Sequence, residues 1–103
     1  MVIREVGRIP YVPPRTVTIH EWRFPHGAVV AQGDTICQLL TEIEISEHPF
    51  VKSGQLSEAD FPDGETTVKG YFDMTCRTAG NLHHCFPAGT IVKMDDVIFT
   101  ING

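Results

Sequence analysis

The chain repeats itself: residues 15–39 read RTVTIHEWRFPHGAVVAQGDTICQL, and residues 77–101 read RTAGNLHHCFPAGTIVKMDDVIFTI. At an offset of 62 residues and without a gap, eight of the 25 aligned positions are identical. The identical pairs are Arg15/Arg77, Thr16/Thr78, Phe24/Phe86, Pro25/Pro87, Gly27/Gly89, Val30/Val92, Asp34/Asp96 and Ile36/Ile98. Two copies are too few for a solenoid, which needs at least three repeats to bury a continuous core. We therefore interpret them as two halves of one closed domain with approximate two-fold symmetry.

Short β-strands are predicted in and around the two copies. Residues 16–22 alternate apolar and polar side chains, with Val17 and Ile19 on one face. Residues 29–31, 35–45, 71–76 and 97–101 are rich in β-branched or aromatic side chains, which favour strands. The pattern of residues 35–45 changes phase once, which indicates a bend or bulge. Turn signals with proline and glycine separate these segments, and no segment of ten or more residues has sustained helical spacing with a cap. This punctuation predicts an all-β sandwich or barrel.

Between the copies lies a polar stretch, residues 46–70, which reads SEHPFVKSGQLSEADFPDGETTVKG. It is longer than the roughly 12–15 residues of most structureless loops in compact domains. We interpret it as a solvated excursion on the surface, with a short helical turn at residues 57–60 that Ser57 caps.

Composition limits the classes of function. With 103 residues the chain is long enough for one domain, and 42% of its residues are hydrophobic. A net charge of -5 argues against a binder of nucleic-acid phosphates and against a polybasic membrane anchor. No apolar run approaches the roughly 18 residues of a membrane-spanning helix, and the first residues lack the apolar block of a signal peptide. We expect a soluble cytoplasmic protein.

The three cysteines do not fit a secreted disulfide framework, because their number is odd. Cys37 lies in an apolar run and is predicted to be a small core residue. Cys76 and Cys85 could approach each other across neighbouring strands.

Residues 26–36 (HGAVVAQGDTI) and 88–98 (AGTIVKMDDVI) resemble the two half-motifs of the biotinyl/lipoyl carrier domains. Residues 78–82 (TAGNL) are similar to the segment that opens the second half of that family. The resemblance covers residues 15–45 and 71–102. It implies a barrel-sandwich hybrid of about eight short strands, with two four-stranded sheets related by a pseudo-dyad. We expect residues 1–103 to form a single domain of this kind, with an insertion at about 46–70.

The resemblance also places the attachment site, and there this chain departs from the family. Lipoyl domains carry E-T-D-K-A on the hairpin after the first half, and this window falls on residues 40–44 (LTEIE). Thr41 matches and Glu42 is a conservative match, but Ile43 occupies the position of the modified lysine. The methionines that flank the lysine in biotinyl domains are absent as well. Because isoleucine has no amine, it cannot form the amide bond to lipoate or biotin.

The chain contains three lysines, all at other positions, that offer an amine: Lys52, Lys69 and Lys93. Lys52 lies in the insertion and would reach the tip of an extended hairpin. It is the most plausible displaced acceptor, although an exposed lysine is usually only a surface charge. Lys69 is at the far end of the insertion, and Lys93 lies in the turn of the second half-motif.

A third kind of site is a metal centre at His83-His84-Cys85. On a strand, His83 and Cys85 share a face and His84 points away. Zinc takes about four ligands; His20, His26, His48 and Cys76 could supply more of them, but no spacing in the chain matches a known zinc site. Partly exposed strand histidines are therefore the favoured interpretation, with a metal site at His83 and Cys85 as the alternative.

The sequence contains no motif for nucleophilic catalysis or phosphate binding. We therefore expect a non-enzymatic, biotinyl/lipoyl-like binding or scaffold module with no cofactor and with a protein partner, such as a larger enzyme complex. The alternative is a lipoyl or biotinyl carrier that uses Lys52, and the third hypothesis is a small metal-binding protein. No residue favours an oligomeric state.

Overall fold

The structure, a computed structural model, describes residues 2–10, 14–62 and 64–103. This part of the chain forms two antiparallel four-stranded sheets, with the strand orders β1-β8-β6-β3 and β5-β4-β2-β7. The strands are β1 (Ile3–Arg8), β2 (Thr16–Trp22), β3 (Val29–Val30), β4 (Thr35–Glu44), β5 (Thr67–Thr75), β6 (Gly80–His84), β7 (Ile91–Val92) and β8 (Val97–Asn102). The predicted fold class, an all-β barrel-sandwich hybrid of about eight strands, is confirmed.

The two halves of the chain have equivalent topology. When β1 to β4 are matched with β5 to β8, the order of the first sheet becomes the order of the second. The turn before β4 and the turn before β8 have the same hydrogen bond. Asp34 accepts one from the N–H of Ala31, and Asp96 accepts one from the N–H of Lys93, each at 2.8 Å. The shared aspartates of the sequence motif therefore fix the backbone of two equivalent turns.

A β-bulge in β2 breaks the constant offset between the halves. Ile19 lies opposite Leu39 and Glu21 lies opposite Gln38, so His20 is an extra residue in β2. The equivalent strand β6 runs past β8 without interruption. Equivalent residues of β2 and β6 are consequently 63 positions apart before the bulge and 62 after it. Two of the sequence identities lie before the bulge and do not mark equivalent positions: Arg15/Arg77 and Thr16/Thr78.

The core lies between the two sheets and is built from alternating strand residues. Within β4, Ile36 and Cys37 are both buried, and burial then alternates along the strand. This is the phase change that the sequence predicts, and it coincides with a register shift at the start of the β4–β5 ladder. Cys37 is a core residue, as predicted. The buried cluster consists of Ile9, Val17, Ile19, Val30, Ile36, Cys37, Leu39, Cys76, Leu82, Val92, Ile98, Phe99 and Ile101.

Strands β4 and β5 form a long hairpin, and residues 45–66 connect them. The connection contains a 3₁₀ turn at Ile45–Glu47, the short helix α1 (Pro49–Lys52) and a second 3₁₀ turn at Glu58–Asp60. The second turn is stabilised by Asp60, whose carboxylate accepts a hydrogen bond from the Ser57 N–H at 2.8 Å. Since β5 already begins at Thr67, the excursion is shorter than the predicted 46–70.

None of the helices in the described part of the chain has the length and apolar character needed to cross a lipid bilayer.

Candidate functional site

The position that the resemblance assigns to the acceptor lysine lies inside a strand. Ile43 is the penultimate residue of β4, opposite Val68 of β5, and its side chain is 5% exposed. It faces the same side of the sheet as the buried residues Leu39 and Thr41. The hairpin continues beyond it into the connection, so the position carries an aliphatic side chain and is shielded from solvent.

Lys52 is the lysine that lies in this connection, at the end of α1. The helix begins after His48, whose Nδ1 accepts a hydrogen bond from the N–H of Phe50 at 3.2 Å, and Pro49 occupies its first position. The Lys52 side chain is 60% exposed, and its Nζ lies 2.7 Å from Oε2 of Glu47. The connection therefore displays an amine that is accessible but paired with a carboxylate.

The other two lysines lie away from the connection. Lys69 is in β5, opposite Glu42 of β4. Lys93 is in the turn that precedes β8, where its backbone N–H donates to Asp96. Neither is placed where an enlarged β4–β5 connection would present it.

A second group of side chains lies where the two halves meet, around Trp22 and His84. Their rings stack with a centroid distance of 3.8 Å and an interplanar angle of 10°. Trp22 Nε1 donates to the carbonyl of Phe86 at 3.1 Å, and His84 Nε2 lies 2.9 Å from the carbonyl of Phe24. Because a carbonyl only accepts, His84 has its proton on Nε2. Phe24 and Phe86 are equivalent positions of the repeat, so each half bonds the phenylalanine of the other half in the same way.

His26 and His83 border this stacked pair. His26 Nδ1 accepts a hydrogen bond from the backbone N–H of His84 at 3.0 Å, so this nitrogen carries no proton. The His26 ring lies edge-on to the rings of His83 and His84, with centroid distances of 4.9 and 5.6 Å. No spacing in the sequence indicates this contact, because His26 reaches His83 and His84 from the turn before β3.

Burial shifts the proton equilibria of His84, Cys37 and Cys85. Desolvation lowers the pKa of His84, the hydrogen bond to Phe24 opposes this shift, and nearby His26 adds to it. Desolvation raises the pKa of Cys85, and for Cys37 burial, with a smaller contribution from Asp73, raises the pKa to about 12. Both thiols are therefore held in the protonated form, which is a poor nucleophile and a poor metal ligand.

The predicted metal ligands do not assemble into a centre. The described residues include no group of three or more His, Cys, Asp or Glu side chains placed to hold a metal ion. His83 contacts the ring of His26, whereas Cys85 follows β6 and carries an exposed, free thiol. Cys76 is buried and its thiol donates to the carbonyl of Ala31, and Cys76 and Cys85 are both free cysteines that form no disulfide with each other.

A groove of about 400 Å³ lies beside β7. Its lining combines apolar side chains with two cationic ones, and Ile91 and Met94 are exposed there. The lining residues are Arg15, Thr16, Val17, Ile91, Val92, Lys93 and Met94. This surface can accommodate a side chain of a partner, and its described lining includes no carboxylate or histidine.

Comparison of the chain with protein-family models, with curated proteins and with solved structures found no match.

Proposed function

We propose that this chain is a non-enzymatic module of biotinyl/lipoyl-like form that binds a protein partner and carries no prosthetic group. The observation that carries the proposal is the burial of Ile43 in β4, opposite Val68. Attachment of lipoate or biotin requires a primary amine that a ligase can reach. A shielded isoleucine provides neither the amine nor the access.

Two further features support a role in binding. The thiols of Cys37 and Cys85 have raised pKa values, which disfavours their use as nucleophiles. The net charge of -5 favours a protein partner over nucleic acid, since phosphate binding depends on basic side chains. The partner that fits the resemblance is a larger enzyme complex.

A second candidate function is that of a carrier whose acceptor is Lys52. The favouring observation is that this amine lies in the β4–β5 connection, is well exposed and is held by Glu47. In this alternative the enlarged connection would replace the tight turn on which the family displays its lysine.

Intact-mass measurement separates the two functions. The chain is co-expressed with lipoate ligase and biotin ligase, and a lipoyl domain in the same cells shows that labelling is active. An unmodified mass supports the binding module. An added lipoyl or biotinyl mass overturns it.

Two matched variants then locate any modification. Lys52→Arg and Lys69→Arg both keep the charge and remove the acceptor amine. Loss of the added mass in Lys52→Arg but not in Lys69→Arg establishes the carrier. Retention of the label in Lys52→Arg assigns it to another lysine and excludes the second candidate.

A further inference from the structure

The four sheet edges in the described part of the chain differ in how well they are protected against pairing. The edges formed by β3 and β7 are two residues long. The edge strand β1 is interrupted by two register shifts against β8. By contrast β5 has nine residues, contains no proline and runs in regular register with β4 from Met74 to Thr67. Short strands and bulges discourage edge-to-edge association, so β5 is the edge left open to it.

The backbone groups that point away from β4 can be identified from three contacts. Ile45 N–H donates to the Thr66 carbonyl, Thr41 Oγ1 donates to the Gly70 carbonyl, and Cys76 N–H donates to the Asp34 carbonyl. Hydrogen-bonded and non-hydrogen-bonded pairs alternate along an antiparallel ladder. The even-numbered residues of β5 therefore bond β4. The odd-numbered residues present their N–H and C=O groups at the free edge.

When two copies of β5, TVKGYFDMT, are aligned antiparallel about their central residue, the charges on the facing residues are complementary. In an antiparallel pair of two such strands centred on Tyr71, Lys69 of each chain lies opposite Asp73 of the other. The same register places Gly70 opposite Phe72 and pairs all nine residues. Because Tyr71, Lys69 and Asp73 have outward-facing backbone groups, they meet as hydrogen-bonded pairs.

We propose that a second copy of this chain pairs with β5 along its free edge, in an antiparallel, two-fold register centred on Tyr71. The β5-β4-β2-β7 sheet of one copy then joins the same sheet of the other copy to form one eight-stranded sheet across the dimer. An isologous contact of this kind closes on itself and does not propagate into a fibre.

Charge complementarity determines the register. Lys69 makes no ion pair with the described residues of its own chain, and Asp73 has only a 4.0 Å contact with Arg23. Both side chains lie on the outer face of β5, where opposite charges on facing strands attract. A lysine on an edge strand normally hinders association, whereas here it would meet a carboxylate twice across the two-fold axis.

Aromatic side chains on the same strand add apolar contact. Tyr71 is 60% exposed and Phe72 is 42% exposed. In the proposed register Phe72 meets Gly70 of the other chain in a non-hydrogen-bonded pair, where side chains come closest. A glycine opposite an aromatic residue leaves room for the ring to cover its backbone. The pairing thus shields apolar surface that a monomer exposes.

Complementary charge variants test the register without relying on a single weakened chain. Sedimentation equilibrium of the wild type is expected to give a mass rising with concentration to twice 11.5 kDa. Lys69→Asp places acids on both sides of each pair, and Asp73→Lys places lysines there. Each variant is expected to raise the dimer Kd about tenfold or more. Their equimolar mixture restores every opposite-charge pair and is expected to dimerise with nearly wild-type affinity. Lys93→Asp, which makes the same charge change away from β5, is the control and is expected to leave the Kd unchanged.

Amide hydrogen exchange checks the edge independently. On raising the protein concentration, the amides of Lys69, Tyr71 and Asp73 are expected to become protected, whereas those of Val68 and Gly70 are protected throughout. The proposal is overturned by a wild type that stays monomeric at millimolar concentration or by species larger than the dimer. A dimer that is indifferent to Lys69→Asp, or a mixture that associates no better than either variant, overturns it equally.

Discussion

Trp22 and His84 occupy equivalent positions in the two halves and stack on each other with parallel rings, 3.8 Å between centroids. Trp22 Nε1 donates to the carbonyl of Phe86, and His84 Nε2 donates to the carbonyl of Phe24, so each bond reaches the opposite half. The halves are therefore joined at this point by aromatic contact and by two reciprocal hydrogen bonds, in addition to the buried core. Most of these groups are only partly buried, so the junction is accessible to protons from solvent.

The first prediction concerns pH. Desolvation lowers the pKa of His84 from its ordinary value of 6.5, so the folded chain binds this proton less readily than the unfolded chain. The contribution of His84 to the free energy of unfolding is therefore expected to be constant above about pH 7.5 and to fall as the pH drops through 6.5 toward the lower folded value. Urea unfolding at pH 8 and pH 5.5, followed by the fluorescence of the single tryptophan Trp22, measures the difference.

The matched variants for this prediction are His84→Gln and His20→Gln. Glutamine at position 84 can still donate to the Phe24 carbonyl but does not titrate, so the pH dependence is expected to shrink. His20 lies outside the cluster, in the bulge of β2. An unfolding midpoint that moves equally in wild type and His84→Gln contradicts the assignment.

The second prediction concerns the acceptor that His26 provides for the His84 N–H, at 3.0 Å. Removing it in His26→Ala leaves this partly exposed donor to water and is expected to cost about 0.5–1.5 kcal/mol of unfolding free energy. His26→Asn supplies a side-chain oxygen at a similar distance from the backbone and is expected to recover part of the loss. Thermal unfolding at pH 8 compares the two, and equal stability of both variants would show that the hydrogen bond is unimportant.

The third prediction uses the two equivalent turns. Gly33 has a φ of 88°, and its counterpart Asp95 has a φ of 67°, so a non-glycine residue occupies the left-handed region in one half only. Gly33→Ala is expected to destabilise the chain by about 1 kcal/mol, because a Cβ there meets no atom within 4 Å and the cost is purely conformational. Asp95→Gly is expected to be neutral or stabilising by up to about 1 kcal/mol.

Urea unfolding with a common slope measures both changes. A large loss of stability in Asp95→Gly would show that the aspartate side chain, and not the turn geometry, stabilises the second turn.

Much of the fold follows from local sequence, and the strands that the sequence predicts poorly share a physical feature. The sequence predicts β2 with its observed bounds, because apolar and polar side chains alternate along this segment and place Val17 and Ile19 on the buried face. β1 is not predicted, because it buries a single position, Gly7. β6 is expected only at His83 and His84, because Leu82 is its one buried residue. Their existence depends on pairing with β8, which is distant from β1 in sequence. A strand that forms because it pairs with another strand need not show hydrophobic periodicity in its own sequence.

The candidate sites are likewise only partly predictable from the sequence. The alignment of the two copies already matched His84 with Trp22, and so the sequence held the signal for the stacked pair. It did not place His26 ahead of the other candidate ligands, because His26 approaches from a turn in the other half. The strand predicted at residues 35–45 already contains Ile43, but the phase change within that strand leaves its buried face undetermined until the register with β5 is known.

The last prediction concerns an exchange of large and small residues between the halves. In β1 Gly7 lies opposite Phe99 of β8, whereas at the equivalent place in the other half Met74 of β5 lies opposite Cys37 of β4. A Cβ on Gly7 would overlap the ring of Phe99, which is fully buried. Gly7→Ala is therefore expected to cost about 1–3 kcal/mol by forcing that ring to move. Phe99→Leu removes the obstacle at its own cost in packing, so the two losses are expected to be less than additive by at least about 0.5 kcal/mol in a double-mutant cycle. Strict additivity of the unfolding free energies would mean that Phe99 does not require glycine at position 7.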